Sequence, residues 1–258
     1  MGNRFTLQQF SEIFQVRNPA GIPYVLIGGQ AVNYWAEHYL AAEPALQKHM
    51  PFTSGDIDFR GNRDDVRHIA GQLELPAVFP NKINMTALAG AIPFKIGKEP
   101  SNIEIVRLIP GVPVMTVDAM AIDAKLSGQQ IRVLDPISLL LCKVNLALTV
   151  SQENRQDVAH LKILIFCVRG FLREALQAVE SGKAPAKGWL GAVNKLAKLA
   201  KSTHGRKAAE KFEFSWTEIL PLREITKATN EKITSFREKQ LGREFSLESK
   251  SVENHSAP

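Results

Sequence analysis

At 258 residues, 45% of them hydrophobic and 22% charged, the chain carries enough apolar material for one large domain or two small ones, which excludes a disordered or fibrous protein. No apolar run reaches the about 20 residues of a membrane span, and Met1-Gly2-Asn3-Arg4-Phe5 lacks the apolar region of a secretory signal, so the expected location is cytoplasmic with no membrane partner. The net charge of +6 is concentrated: Lys183 to Lys211 holds eight Lys or Arg residues against one acid, Glu210, so that segment is where a polyanionic partner would bind, if it is not simply a solvated lysine face.

In chain order, Phe10, Ile13 and Phe14 recur at helical spacing behind Thr6, which suits an N-cap. Pro19-Ala20-Gly21 is a turn, and Tyr24 to Ile27 reads as a short buried strand. It stops on Gly28-Gly29 and opens a helix to Leu40, on which Ala31, Tyr34, Trp35, His38 and Tyr39 form an aromatic inner stripe. Thr53-Ser54-Gly55-Asp56-Ile57-Asp58-Phe59 reads as a second strand. Strand alternation puts Asp56 and Asp58 on one face and Ile57 and Phe59 on the other. Two carboxylates held together call for a cation, and Mg²⁺ commonly takes one or two carboxylates plus substrate phosphates. The glycine pair permits close backbone approach, and the helix start behind it offers N–H groups to an anion. A phosphate cradle and a metal-binding pair in one stretch indicate phosphoryl or nucleotidyl transfer.

Gly61-Asn62 turns into a helix with Val66, Ile69, Ala70 and Leu73 inside and Asp64-Asp65 in its first turn. From Leu75 to Val133 the pattern is strand-like, with Ala87–Ile96, Ile103–Leu108 and Gln130–Leu134 the clearest strands. Asp118 and Asp123 sit in what reads as turn or helix. Asp135-Pro136 starts a helix whose stripe is Ile137, Leu140, Leu141, Val144 and Leu148, with Lys143 beside the stripe. After the polar turn Glu153–Asp157 comes an enclosed helix through Leu161–Val168. Cys142 and Cys167 fall in these apolar runs and read as buried, reduced thiols. Gly188 to Lys201 is a basic amphipathic helix showing Lys195, Lys198 and Lys201 outwards and ending at Thr203-His204-Gly205, and a long helix is expected from Trp216 to Lys239. The polar stretch from Ser246 reads as disordered tail.

Gly28-Gly29, a helix, then Thr53-Ser54-Gly55-Asp56-Ile57-Asp58 resembles the polymerase-beta-type nucleotidyltransferase superfamily. Two departures are visible: Glu43–Met50 resembles an insertion, and Pro51-Phe52 stands where the family often has an Arg. The resemblance implies an α+β fold, with a small mixed β-sheet core and flanking helices over 1–134, a helical domain over 135–245 and the tail over 246–258. It implies a Mg²⁺-dependent enzyme, with Mn²⁺ as a substitute, that moves a nucleoside monophosphate from an NTP to an acceptor hydroxyl. Asp56 and Asp58 would hold the metal, with Glu104 as third carboxylate; Gly28, Gly29, Ser54 and Lys143 would contact the nucleotide. The layout is also similar to abortive-infection toxins of that superfamily, which implies a toxin held by an antitoxin partner; the acceptor is left open between RNA, held by the basic segment Lys183–Lys211, and the small molecules such as aminoglycosides or protein side chains that relatives use. The alternative is an inactive relative that binds nucleotide or RNA.

Overall fold

The computed structural model describes residues 3–81 and 86–245, so the expected tail over 246–258 lies outside the described residues. The fold is α+β: one six-stranded mixed sheet with helices on it and a helical C-terminal part. The chain divides into two compact units, Met1–Val168 and Arg169–Pro258. The expected division after Leu134 therefore differs from this one, which keeps the first helices beyond the sheet in the first unit.

The strands are β1 (Val25–Ile27), β2 (Ile57–Arg60), β3 (Leu88–Ile96), β4 (Glu99–Val106), β5 (Ala121–Leu126) and β6 (Gln129–Leu134), in spatial order β3-β4-β2-β1-β6-β5. β1 and β2 are antiparallel neighbours at the centre; β4 runs parallel to β2 and β6 parallel to β1. Each of these is half of a hairpin whose other strand forms the sheet edge. Ile57, Phe59, Ile103 and Ile105 are buried on one face, which leaves the alternate residues Asp58 and Glu104 to the other.

Helix α1 (Gly28–Tyr39) follows β1 without a linker, and its Trp35 donates from Nε1 to the Leu134 carbonyl at 2.8 Å, tying the helix to the end of β6. Ala31, Trp35 and Tyr39 are buried as expected, but Tyr34 is only half-buried, and His38 is exposed and stacks on Tyr34 with ring centroids 6.0 Å apart. Helix α2 (Arg63–Leu73) begins on Asn62, whose side chain accepts from the amides of Asp64 and Asp65 while Asp65 answers on the Asn62 amide. The stretch Leu7–Gln15 is 3-10 rather than α-helical, with its four apolar residues buried. Pro44–His49, inside the apparent insertion, is a 3-10 helix anchored by the fully buried Leu46.

The hairpin β5–β6 corrects the reading of Asp123 as turn or helix: it lies on β5, while Asp118 lies in the short helix α3 (Val117–Met120). The turn Ser127-Gly128 has φ of 49° and 84°, the left-handed pair that a two-residue hairpin needs. Asp135 caps α4 (Pro136–Thr149) by accepting from Ile137 and Ser138, both at 3.0 Å. Helix α5 (Asp157–Glu180) carries the chain from the first unit into the second. Cys142 and Cys167 are buried free thiols.

In the second unit, α6 (Ala186–Lys201) buries Trp189, Val193, Leu196 and Ala197 and exposes Lys195, Lys198 and Lys201. The further helix that the sequence reading starts at Arg206 is present but begins within Thr203-His204-Gly205: Ser202 caps α7 (Thr203–Phe212), whose Gly205 must lack a Cβ because one would lie 1.8 Å from the Leu199 carbonyl oxygen. The long helix expected from Trp216 to Lys239 is broken. A 3-10 turn at Trp216–Ile219, α8 (Leu222–Lys227) and α9 (Glu231–Phe236) replace it, because Pro221 and the Asn230 cap each restart the chain.

Candidate active site

The first unit contains an open cavity of about 890 Å³ above the carboxylate face of the sheet. Asp56, Asp58, Glu104, Gly29, Ser54 and Lys143 all line it, so the site residues expected from the sequence share one hollow, with the exception of Gly28. Gly28 lies behind Asp58. Its φ is +67°, and a Cβ there would sit 1.9 Å from Asp58 Oδ2. The glycine is thus required twice, by its left-handed backbone and by the carboxylate packed against it. The Gly29 amide donates to Asp58, whereas the sequence reading aims it at a phosphate. The helix start first of all holds the carboxylate.

Register brings the acids together. Asp58 on β2 is the direct partner of Glu104 on the parallel strand β4, so their side chains leave the same face of strands about 4.8 Å apart. Asp56 lies just before β2 rather than on it. It reaches the cavity because Asn102, two residues before Glu104 and on the same face, donates to its Oδ1 at 3.3 Å, and because Ser101 Oγ donates to the Gly55 carbonyl at 2.8 Å. The rival acids Asp118 and Asp123 pair with Arg132 at 3.2 and 3.7 Å and do not line this cavity.

The charges are unevenly balanced. Burial pushes Asp58 up to about 6, and Asp56 adds to the rise; Lys143, the Gly29 amide and Arg155 oppose it. Burial likewise pushes Glu104 up to about 7, reinforced by Asp58 and Asp56 and opposed by Arg155. Both acids therefore hold negative charge at a cost that the neighbouring cations do not offset.

Lys143 corrects the expectation that it lies beside the buried stripe: it is 6% exposed. Its Nζ donates to Asp157 Oδ1 at 2.7 Å, and Arg155 Nε donates to Asp157 Oδ2 at 2.6 Å. Burial alone would raise the Asp157 pKa, but Lys143 and Arg155 outweigh it and hold the carboxyl below its usual range. Asp157, which the sequence offers only as a helix cap, thus aims two cations at the cavity. Asp157→Ala leaves Lys143 buried without its counter-charge and is expected to destabilise the first unit by about 3–5 kcal/mol, whereas removing the exposed Arg155 side chain costs much less; urea melts of the two variants check this.

Sequence reasoning also missed the polar supports. Gln30 and Asn33 on α1 are fully buried. Gln30 Nε2 donates to the Phe5 carbonyl at 3.1 Å, and Asn33 Nδ2 donates to Gln30 Oε1 at 3.0 Å. Phe5 in turn exchanges both backbone hydrogen bonds with Ser54, at 2.9 and 3.0 Å. This chain fixes the Ser54 loop against the start of α1. Gln30→Ala is expected to lose about 1–3 kcal/mol of stability by stranding the Phe5 carbonyl and Asn33, measurable as a lower urea midpoint.

No protein-family model matches the chain, and no curated protein matches it. Among the described residues, no helix is long and apolar enough to cross a membrane.

The donor set suits a hard divalent cation. Three carboxylates face one cavity, and burial first, then their mutual repulsion, raises the pKa of Asp58 and Glu104. Among the described residues no group of three or more His, Cys, Asp or Glu side chains is drawn together as a ready-made cage. One or two of these carboxylates could hold a hard divalent cation such as Mg²⁺, which takes its remaining ligands from elsewhere.

Proposed function

We propose that the first unit binds a nucleoside triphosphate with Mg²⁺ and transfers its nucleoside monophosphate to an acceptor hydroxyl. The observation that carries this reading is the pairing of Asp58 with Glu104 across β2 and β4, with Asp58 seated against the Gly28-Gly29 turn. Asp56 and Asp58 would hold the ion, which when bound neutralises phosphate charge and polarises the group under attack. In the transfer, an acceptor oxygen bonds to the α-phosphorus while the bond to the bridging oxygen breaks. The electron pair leaves with pyrophosphate, and the acceptor proton would pass to a carboxylate, the role proposed for Glu104. Lys143 and Arg155, aimed by Asp157, supply positive charge toward the departing phosphates. Positioning and charge carry the catalysis, as is general for phosphoryl transfer.

For the acceptor we favour RNA, on the support of the exposed Lys195, Lys198 and Lys201 on α6 of the second unit. Lysines on one helix face bind phosphate without reading sequence. Replacing Lys195 and Lys198 by Glu is expected to weaken RNA binding and to flatten its salt dependence by about 0.7 log units per lost phosphate contact, read by filter binding at several salt concentrations.

Incubating the protein with each α-labelled NTP and a cell extract tests the activity. One labelled species, lost with Asp58→Asn, is the expected result; no labelling, or equal labelling by the variant, contradicts it. A second reading, a nucleotide-binding module without transfer, is favoured by the Gly29 amide being taken by Asp58 and by Lys143 being held by Asp157. It predicts NTP binding with no labelled product.

A further inference from the structure

One side chain in the cavity has no role in the account so far. His160, in the first turn of α5, is 3% exposed and lines the same hollow as Gly29 and Ser54. Neither of its ring nitrogens makes a hydrogen bond of normal length and angle among the described residues, although the Thr53 backbone pulls on the ring. Its Cε1 lies 2.9 Å from the point that a Gly29 Cβ would occupy, and Ser54 Oγ lies 2.3 Å from the same point. A side chain at Gly29 would therefore displace the ring or the hydroxyl; the missing Cβ leaves both of them facing the start of α1. Buried polar atoms are nearly always satisfied, and exceptions cluster where a ligand completes them.

We propose that His160 contacts the ligand of this cavity, donating a ring N–H to a phosphoryl oxygen of the triphosphate beside Ser54 and the start of α1. The proposal rests on the cavity binding a nucleotide. The cations of the hollow favour an anion, and its carboxylates favour the metal that would come with a triphosphate. Lys143, Arg155 and Arg4 face the same hollow, and the twelve-residue helix α1 directs its positive end there. Burial first, then Lys143 and Arg4, against the pull of Asp157 and the Thr53 backbone, hold the imidazole down at about 3, so the ring is neutral and offers one N–H and one acceptor. A neutral donor contributes direction without the charge that would bind any anion in any pose.

Calorimetry on the full chain, with ATP and with inorganic tripolyphosphate as probes in Mg²⁺, tests the assignment. His160→Leu, which keeps the bulk and removes the donor, is expected to weaken both probes about 10- to 100-fold. His160→Gln, which restores an N–H, is expected to recover most of that loss. The ¹⁵N resonances of the His160 ring in wild-type protein should move when tripolyphosphate is added, a readout that does not depend on the variants folding. Unchanged affinity in His160→Leu together with unmoved ring resonances makes His160 a packing residue and overturns the proposal while leaving nucleotide binding intact. Ring resonances that move with ATP but not with tripolyphosphate place the nucleoside there and overturn the phosphate assignment. Failure of wild-type protein to bind either probe overturns the nucleotide reading itself, and the proposal with it.

Discussion

Asp58→Asn is expected to lower nucleotide transfer by about 10³-fold or more while making the metal-free protein more stable at pH 8. The two effects share one cause. Burial, reinforced by Asp56, lifts the Asp58 carboxyl from 3.8 to about 6. The sign follows from proton linkage. Between those two values the native state binds more protons than the unfolded chain, so stability falls as pH rises through that window and the full cost remains above it. Asparagine keeps an oxygen to accept the Gly29 amide but carries no charge. Because Asp58 is only half-buried, the gain is discounted to about 1–2 kcal/mol, or roughly 2–8 °C in melting temperature for a unit of this size. Melting curves in EDTA at pH 4 and pH 8 check it: the variant should lead at pH 8, and the lead should vanish at pH 4. A variant less stable than wild type at pH 8 would show that Asp58 serves the fold rather than a ligand.

Gly28→Ala carries the second large effect. The added methyl meets Asp58 Oδ2 at 1.9 Å on a residue with φ of +67°, so two penalties coincide. The left-handed backbone alone costs about 1–2 kcal/mol for a residue with a Cβ. The overlap must in addition push the carboxylate off its amide partner or move β1 away from β2, and a total of about 3–5 kcal/mol is expected. A double-mutant cycle with Asp58→Ala separates the parts. With the carboxylate gone, Gly28→Ala should cost only the backbone share, a coupling of about 2 kcal/mol between the two positions. Additive costs in urea denaturation would mean that the glycine and the carboxylate do not meet.

The sequence shows each of these two residues because each signal is local, but not that they touch, since the sequence reading turns the glycine pair toward a phosphate. A strand that ends on Gly-Gly and a strand that carries Asp-x-Asp each follow from side-chain period and glycine geometry. What it hides depends on contacts between distant segments. Lys143 lies next to an apolar stripe on α4, and only the carboxylate of Asp157, brought across by the turn before α5, draws it inside. His160 sits in an apolar helix and reads as core until Gly29 and Ser54 are laid against it. Gln30 and Asn33 sit among the apolar residues of α1, and their partners come from the N-terminal segment. The hairpin β5–β6 was legible in principle: Ser127-Gly128 between two alternating runs is a two-residue turn signal, obscured by acids that favour helix starts. Asp56 falls outside β2 because the Ser54 loop is bound to Phe5 and Ser101, neither of which its own neighbours announce.

Calorimetric titration of wild type and Asp58→Asn with ATP, GTP, CTP and UTP, in Mg²⁺ and again in EDTA, asks whether the cavity of Asp56, Asp58 and Glu104 holds a metal-bound triphosphate. The account predicts that at least one NTP binds wild type in Mg²⁺ and that its affinity collapses both in EDTA and in the variant. Binding of none of the four, or binding indifferent to both the metal and the Asp58 carboxylate, would contradict it.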